Sequence, residues 1–148
     1  MSEFIALLNS HKVEFVIIGG HAVAYHGHPR FTGDIDFFVR PTPTNAERVL
    51  AALNAFGFGN LGISRDDLVT PNKVIQLGRP PNRIDILTSI SGVEFDAAWQ
   101  SRVSARLDEH AVNFIGLTEL MRNKQASGRQ KDLADIEKLR AVTGERRG

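Results

Sequence analysis

An α+β domain that closes in a helical hairpin is the fold class this sequence predicts, and three observations predict it. Short apolar runs rich in β-branched residues, Val13–Ile18 and Asp34–Val39 among them, have the length of strands rather than helices. Two further runs, Lys73–Leu77 and Arg83–Leu87, flank the turn-rich segment Gly78-Arg-Pro-Pro-Asn82 and read as a hairpin. Two helical stretches then follow one another, over about Thr118–Ala126 and Lys131–Val142. With 148 residues, 42% hydrophobic and 24% charged, the chain is one domain's worth of ordinary globular sequence, which excludes disorder and collagen-like repeats.

The elements follow in order. Phe4, Ile5, Leu7 and Leu8 after Ser2 predict a short amphipathic helix with Ser2 as its cap. Val13–Ile18 is a buried strand that stops at Gly19-Gly20. A helix-compatible stretch runs over His21–His26, closed by Gly27 and Pro29. Asp34–Val39 is the second strand, ended by the prolines Pro41 and Pro43. Thr44-Asn-Ala-Glu47 has the pattern of a capping box and opens a helix through Val49, Leu50, Leu53 and Phe56 that closes near Gly57. After the hairpin, Phe95, Ala98, Trp99 and Val103 give helical spacing to the segment 93–103, and Ala111–Ile115 returns as a strand. Gly144 to Gly148 is expected as a frayed tail after the domain's last helix.

Several functional classes fall away on composition. There is no cysteine, so a disulfide framework, a thiolate zinc site and a cysteine nucleophile are excluded. Lys and Arg total 18 against 17 for Asp and Glu, a net charge of +1, so no global field marks a nucleic-acid or membrane surface. The N-terminus lacks the basic and apolar regions of a signal peptide, and no apolar run approaches the roughly 18 residues of a membrane span. The expectation is a soluble, cytoplasmic protein with no membrane partner.

The chemistry concentrates in carboxylates. In Asp34-Ile-Asp36 the period of a strand sends both aspartates to one face while Ile35, Phe37 and Val39 take the other. Their Cβ atoms then lie about 6–7 Å apart, a spacing that repels without a counter-ion and suits one hard divalent cation. Asp85, in Arg83-Ile-Asp-Ile-Leu87, is again a lone carboxylate inside an apolar strand, where Asp is disfavoured. The plainer alternative is that Asp34 caps a turn after Thr32-Gly33 while Asp36 and Asp85 face solvent or pair with Arg30 or Arg83. Upstream, Gly19-Gly20 between a strand and a helix offers unpaired backbone N–H groups to a phosphate, or is only a tight turn. Neither a P-loop nor a dinucleotide fingerprint is present. A phosphate cradle beside three carboxylates is the equipment of metal-assisted phosphoryl or nucleotidyl transfer.

The run Ile18-Gly-Gly-His-Ala-Val-Ala-Tyr-His-Gly-His-Pro-Arg-Phe-Thr-Gly-Asp-Ile-Asp-Phe-Phe-Val39 resembles the signature of the DNA polymerase β-type nucleotidyltransferase superfamily. Its small bacterial members, the minimal nucleotidyltransferases and the AbiEii-type toxin–antitoxin components, are the most similar. The strand with Asp85 and the segment Lys124-Gln-Ala-Ser-Gly-Arg-Gln-Lys-Asp-Leu-Ala-Asp-Ile136 add to the likeness. The resemblance implies a mixed β-sheet flanked by helices, with the β- and γ-phosphates of ATP or another nucleoside triphosphate held at Gly19 and Gly20. It implies that Asp34 and Asp36 bridge two Mg²⁺ ions, or Mn²⁺ in their place. Asp85 then holds the catalytic metal and helps deprotonate an acceptor hydroxyl. The acceptor is open: a small molecule, a protein side chain or an RNA 3′ end, with a toxin–antitoxin partner as a further expectation. Many members carry Gly-Ser where this chain has Gly19-Gly20, and the missing hydroxyl motivates the alternative of a catalytically inactive interaction protein with the same fold.

The remaining candidates flank that signature. Arg30 either contacts phosphate or pairs with the site's carboxylates, and Thr32 either joins it or bonds local backbone. His21 is next to the glycine turn and is expected to touch nucleotide, whereas His26 and His28 read as loop histidines. Lys124 and Lys131 are expected to contact the triphosphate or acceptor, oriented by Asp132 and Asp135. The plainer reading of those charges, with Arg129, is a solvated helix surface.

Overall fold

A computed structural model of the chain describes residues 2–27 and 33–147, with side chains up to residue 142. Helix α1 (Ser2–Ser10) buries Phe4, Ile5 and Leu8 and leads to strand β1 (Phe15–Ile18), every residue of which is buried. Helix α2 (Gly19–Tyr25) starts at the glycines themselves rather than after them, two residues earlier than expected. Strand β2 (Ile35–Val39) and helix α3 (Pro43–Ala55) follow. The expected capping box at Thr44–Glu47 does not form. Pro43 takes the first turn, where its missing N–H costs nothing and its φ is preset, and Thr42 at the N-cap makes no side-chain bond. A capping box closes instead on the short helix α4 (Arg65–Val69), which the spacing does not announce, between Ser64 and Asp67.

Strands β3 (Val74–Leu77) and β4 (Ile84–Leu87) pair antiparallel as the hairpin predicted. The expected helix over 93–103 shortens to α5 (Phe95–Gln100), and Val103 opens strand β5 (Val103–Leu107) instead. β5 pairs antiparallel with β6 (His110–Phe114) at the rim of the sheet. Its alternation of half-buried Val103, Ala105 and Leu107 with exposed Ser104 and Arg106 is a period of two that a helical reading of Val103 conceals. Helices α6 (Leu117–Ser127) and α7 (Gln130–Arg147) form the closing hairpin, turned by Gly128 in the left-handed conformation (φ 67°). Residues 144–147 continue α7 rather than fraying as a tail.

The six strands form one mixed sheet in the order β3-β4-β2-β1-β6-β5. Its centre is antiparallel β1·β2, flanked by the parallel pairs β2·β4 and β1·β6. One face of β2 belongs to the core: Phe37 meets Phe4 at 5.6 Å and Phe15 at 5.4 Å between ring centroids. On the opposite face Phe38 packs edge-on against Phe95 of α5. Asp36 lies two residues before Phe38 on that same face, at the end of the sheet that α5 leaves open. Buried Asn45 ties α3 to the residue before β1 and the residue after β2: its Oδ1 accepts the Glu14 N–H at 2.8 Å while its amide donates to the Glu14 and Arg40 carbonyls. Among the described residues no helix is long and apolar enough to cross a membrane.

Candidate functional site

Parallel pairing of β2 with β4 sets Asp36 directly beside Asp85, and antiparallel pairing of β1 with β2 sets Ile18 opposite Asp36. The chain turns from Ile18 into Gly19 just there. Gly19 has φ +69°, and a Cβ on it would sit 2.2 Å from Asp36 Oδ2, so glycine is demanded twice, by conformation and by the carboxylate pressed on its backbone. Asp34 precedes β2 and accepts the Arg83 backbone N–H on Oδ1 at 2.9 Å. All three aspartates and Gly19 line one polar cleft of about 600 Å³.

The opposite wall comes from the closing hairpin: Lys124, Ser127, Arg129, Lys131 and Asp132 line the same cleft. Lys124 is only 4% exposed, and its ammonium donates to Asp135 at 2.9 Å and Asp132 at 3.3 Å. Asp132 also accepts from Arg129 Nε at 2.7 Å and from the Ser127 hydroxyl. Burial alone would push Asp132 up, but the Arg129 and Ser127 hydrogen bonds and the Lys124 ammonium hold it down at about 2. Lys131, one position before Asp132 on α7, brings its positive charge to bear on Asp36 across the cleft.

The acidic wall has the reverse balance. Burial, a hydrogen bond shared with Asp85 and the charge of Asp85 push Asp36 up to about 7, with Arg83 and Lys131 pulling less strongly the other way. Arg83 forks onto Asp85, Nε to Oδ1 at 2.8 Å and NH2 to Oδ2 at 3.1 Å, and reaches Asp34 Oδ2 at 3.8 Å. Among the described residues no three carboxylates or imidazoles converge on one point, and Asp34 and Asp85 are both turned to this guanidinium. The donor set, three carboxylates on one cleft with Asp36 set against Asp85, fits a hard divalent cation.

The cleft therefore gathers Gly19, Asp34, Asp36, Asp85, Lys124 and Lys131. Gly20 and His21 do not line it. Burial keeps the His21 imidazole below its ordinary value, and its buried Nε2 has no hydrogen-bond partner. His26 ties α2 to the end of β6 by donating from Nε2 to the Ile115 carbonyl at 2.7 Å. Arg30, Thr32 and His28 lie outside the described residues. Asn72, Gln76, Ser89, Ser91 and Asn123 also line the cleft, and no signal in the sequence singles them out. Arg83 does leave a signal: it stands two residues before Asp85, so the period of a strand sends both side chains to one face.

A mixed sheet that carries neighbouring carboxylates on parallel strands, beside a glycine turn and under a helical hairpin, defines the nucleotidyltransferase fold. Residues 1–148 match the model of the family described as nucleotidyl transferase of unknown function (DUF2204), and the chain belongs to that family. Its fold is similar to the crystal structure of a candidate nucleotidyltransferase from Thermotoga maritima, with a TM-score of 0.57 over 97% of this chain and 90% of that one at 17% identity. No curated protein matches the chain in sequence.

Proposed function

We propose that the chain is a metal-dependent nucleotidyltransferase that moves a nucleoside monophosphate from a nucleoside triphosphate to a hydroxyl of an acceptor. The observation that carries this reading is the Asp36–Asp85 pair on adjacent parallel strands, facing the cations of the closing hairpin across one polar cleft. Asp34, Asp36 and Asp85 are the residues that would hold Mg²⁺ or Mn²⁺, which would supply charge neutralisation at the attacking and departing oxygens. Lys131 attracts the triphosphate from the opposite wall, and Gly19 lets phosphate approach the backbone closely. Asp85 accepts the proton of the acceptor hydroxyl. The hydroxyl oxygen then bonds to the α-phosphorus, the bond from that phosphorus to the bridging oxygen breaks, and pyrophosphate leaves.

The test is thermal unfolding with each of the four common nucleoside triphosphates and Mg²⁺, on the wild type and on Asp34→Asn/Asp36→Asn. Ligand at 100 times its Kd stabilises by about 2.7 kcal/mol. A Mg²⁺-dependent rise in Tm confined to the wild type is expected. The same rise in the double variant would remove these aspartates from the nucleotide site.

A further inference from the structure

Arg83 holds a place that the transfer reading leaves without a role. It is the residue immediately before β4, and the strand's own period carries its guanidinium along one face to Asp85. Both Asp85 oxygens are taken, at 2.8 and 3.1 Å. The other carboxylate within reach is Asp34, at 3.8 Å from the guanidinium and bonded at 2.9 Å to the Arg83 main-chain N–H. One planar cation therefore neutralises two of the three carboxylates, using oxygens that a divalent ion would also need.

The contrast with Lys124 decides what kind of ion pair this is. Both side chains line the cleft, but Lys124 is packed between two helices with 5% of its side chain exposed, whereas the Arg83 side chain is 29% exposed. Asp85 is itself buried, its side chain 10% exposed, so its charge needs a cation beside it at all times; the Arg83 end of the pair is the exposed one and leaves for solvent when another cation takes its place. The two-tooth grip on Asp85 also fixes that carboxylate's orientation, leaving it held rather than free to rotate.

From this geometry we infer that Arg83 is the resident counter-cation of the metal-free cleft, which holds Asp85 and Asp34 in place and gives up Asp85 when a divalent cation enters. The inference rests on the metal reading above. Arg83 is thus a positioning residue whose guanidinium competes with the metal for the same oxygens. It accounts for the absence, among the described residues, of three converging carboxylates.

The test uses Mn²⁺ alone, with no nucleotide, titrated into the full chain and followed by electron paramagnetic resonance. In Arg83→Met, which keeps the side chain's length without its charge, the Mn²⁺ dissociation constant is expected to fall at least tenfold while the metal-free Tm also falls. Arg83→Lys, a point charge without the fork, is expected between the two. Equal or weaker Mn²⁺ binding by Arg83→Met, beside a wild type that does bind, overturns the inference and leaves the transfer reading intact. Absence of Mn²⁺ binding in both proteins overturns the metal reading and the inference with it. A second readout needs no variant: the Arg83 Nε–H resonance of the wild type is expected to move as Mg²⁺ saturates the protein. A resonance that stays unchanged while Mg²⁺ binds overturns the inference.

Discussion

On one wall of the cleft Asp36 sits against Asp85 and is pushed up to about 7; on the other, Asp132 is more deeply buried and yet held down at about 2. Burial penalises the charged form of both, so the difference lies in their partners. Asp132 receives a guanidinium, a hydroxyl and an ammonium from its own hairpin. Asp36 receives another carboxylate as its immediate neighbour across the sheet, with Arg83 and Lys131 offsetting only part of the repulsion. A buried ionic cluster whose charges are matched braces a fold. One that is left short of positive charge is instead a place where a cation from solution has work to do.

The largest expected effect breaks the matched wall. Lys124→Met leaves Asp132 and Asp135 without their shared ammonium, and we expect a loss of about 3–5 kcal/mol in urea-induced unfolding. Next comes the mismatched wall. Asp36 is raised to about 7 from 3.8, so its folded form binds the proton more tightly. That contribution is complete below about pH 4 and is lost as pH rises to about 7. Asp36→Asn should remove this decline and leave the metal-free protein more stable at pH 8 by up to about 4 kcal/mol. Asp132 runs the other way. Its lowered value contributes about 2 kcal/mol above pH 4 that is lost as pH falls through about 2, and the low-pH limb of the stability curve should persist in Asp36→Asn. The smallest effect is Arg129→Met: that side chain is 66% exposed, so less than about 1 kcal/mol is expected, with Lys124 and Ser127 still serving Asp132.

The acidic wall was the more legible of the two. Asp34, Asp36 and Asp85 stand out because carboxylates are out of place among Ile, Phe and Leu in strands, and period-two geometry says which face they share. What the spacing does not reveal is that parallel pairing brings residue 36 beside residue 85, since pairing partners are a tertiary choice. Lys124 illustrates the opposite difficulty. On an amphipathic helix a lysine reads as solvated, and only the packing of α6 against α7 buries it. The long elements with apolar periodicity or β-branched runs were recoverable, whereas five-residue α4 and rim strand β5 carry too few buried side chains to impose a pattern. The capping box expected at Thr44 fails because a proline at position 43 fixes the start of α3 two residues earlier, with Thr42 at the N-cap.

The parallel β2·β4 pair has a consequence for how the chain folds. Contacts such as Arg83 N–H to Asp34 span 49 residues, and Lys131 reaches Asp36 from still farther along the sequence. Local pieces, the β3·β4 antiparallel pair and the α6·α7 hairpin, are joined by short connections that cost little entropy to close, but the cleft exists only once they have docked on the β1·β2 centre of the sheet. The acidic wall is thus a product of assembly: Asp36 and Asp85 have no common site until two strands far apart in the sequence have paired.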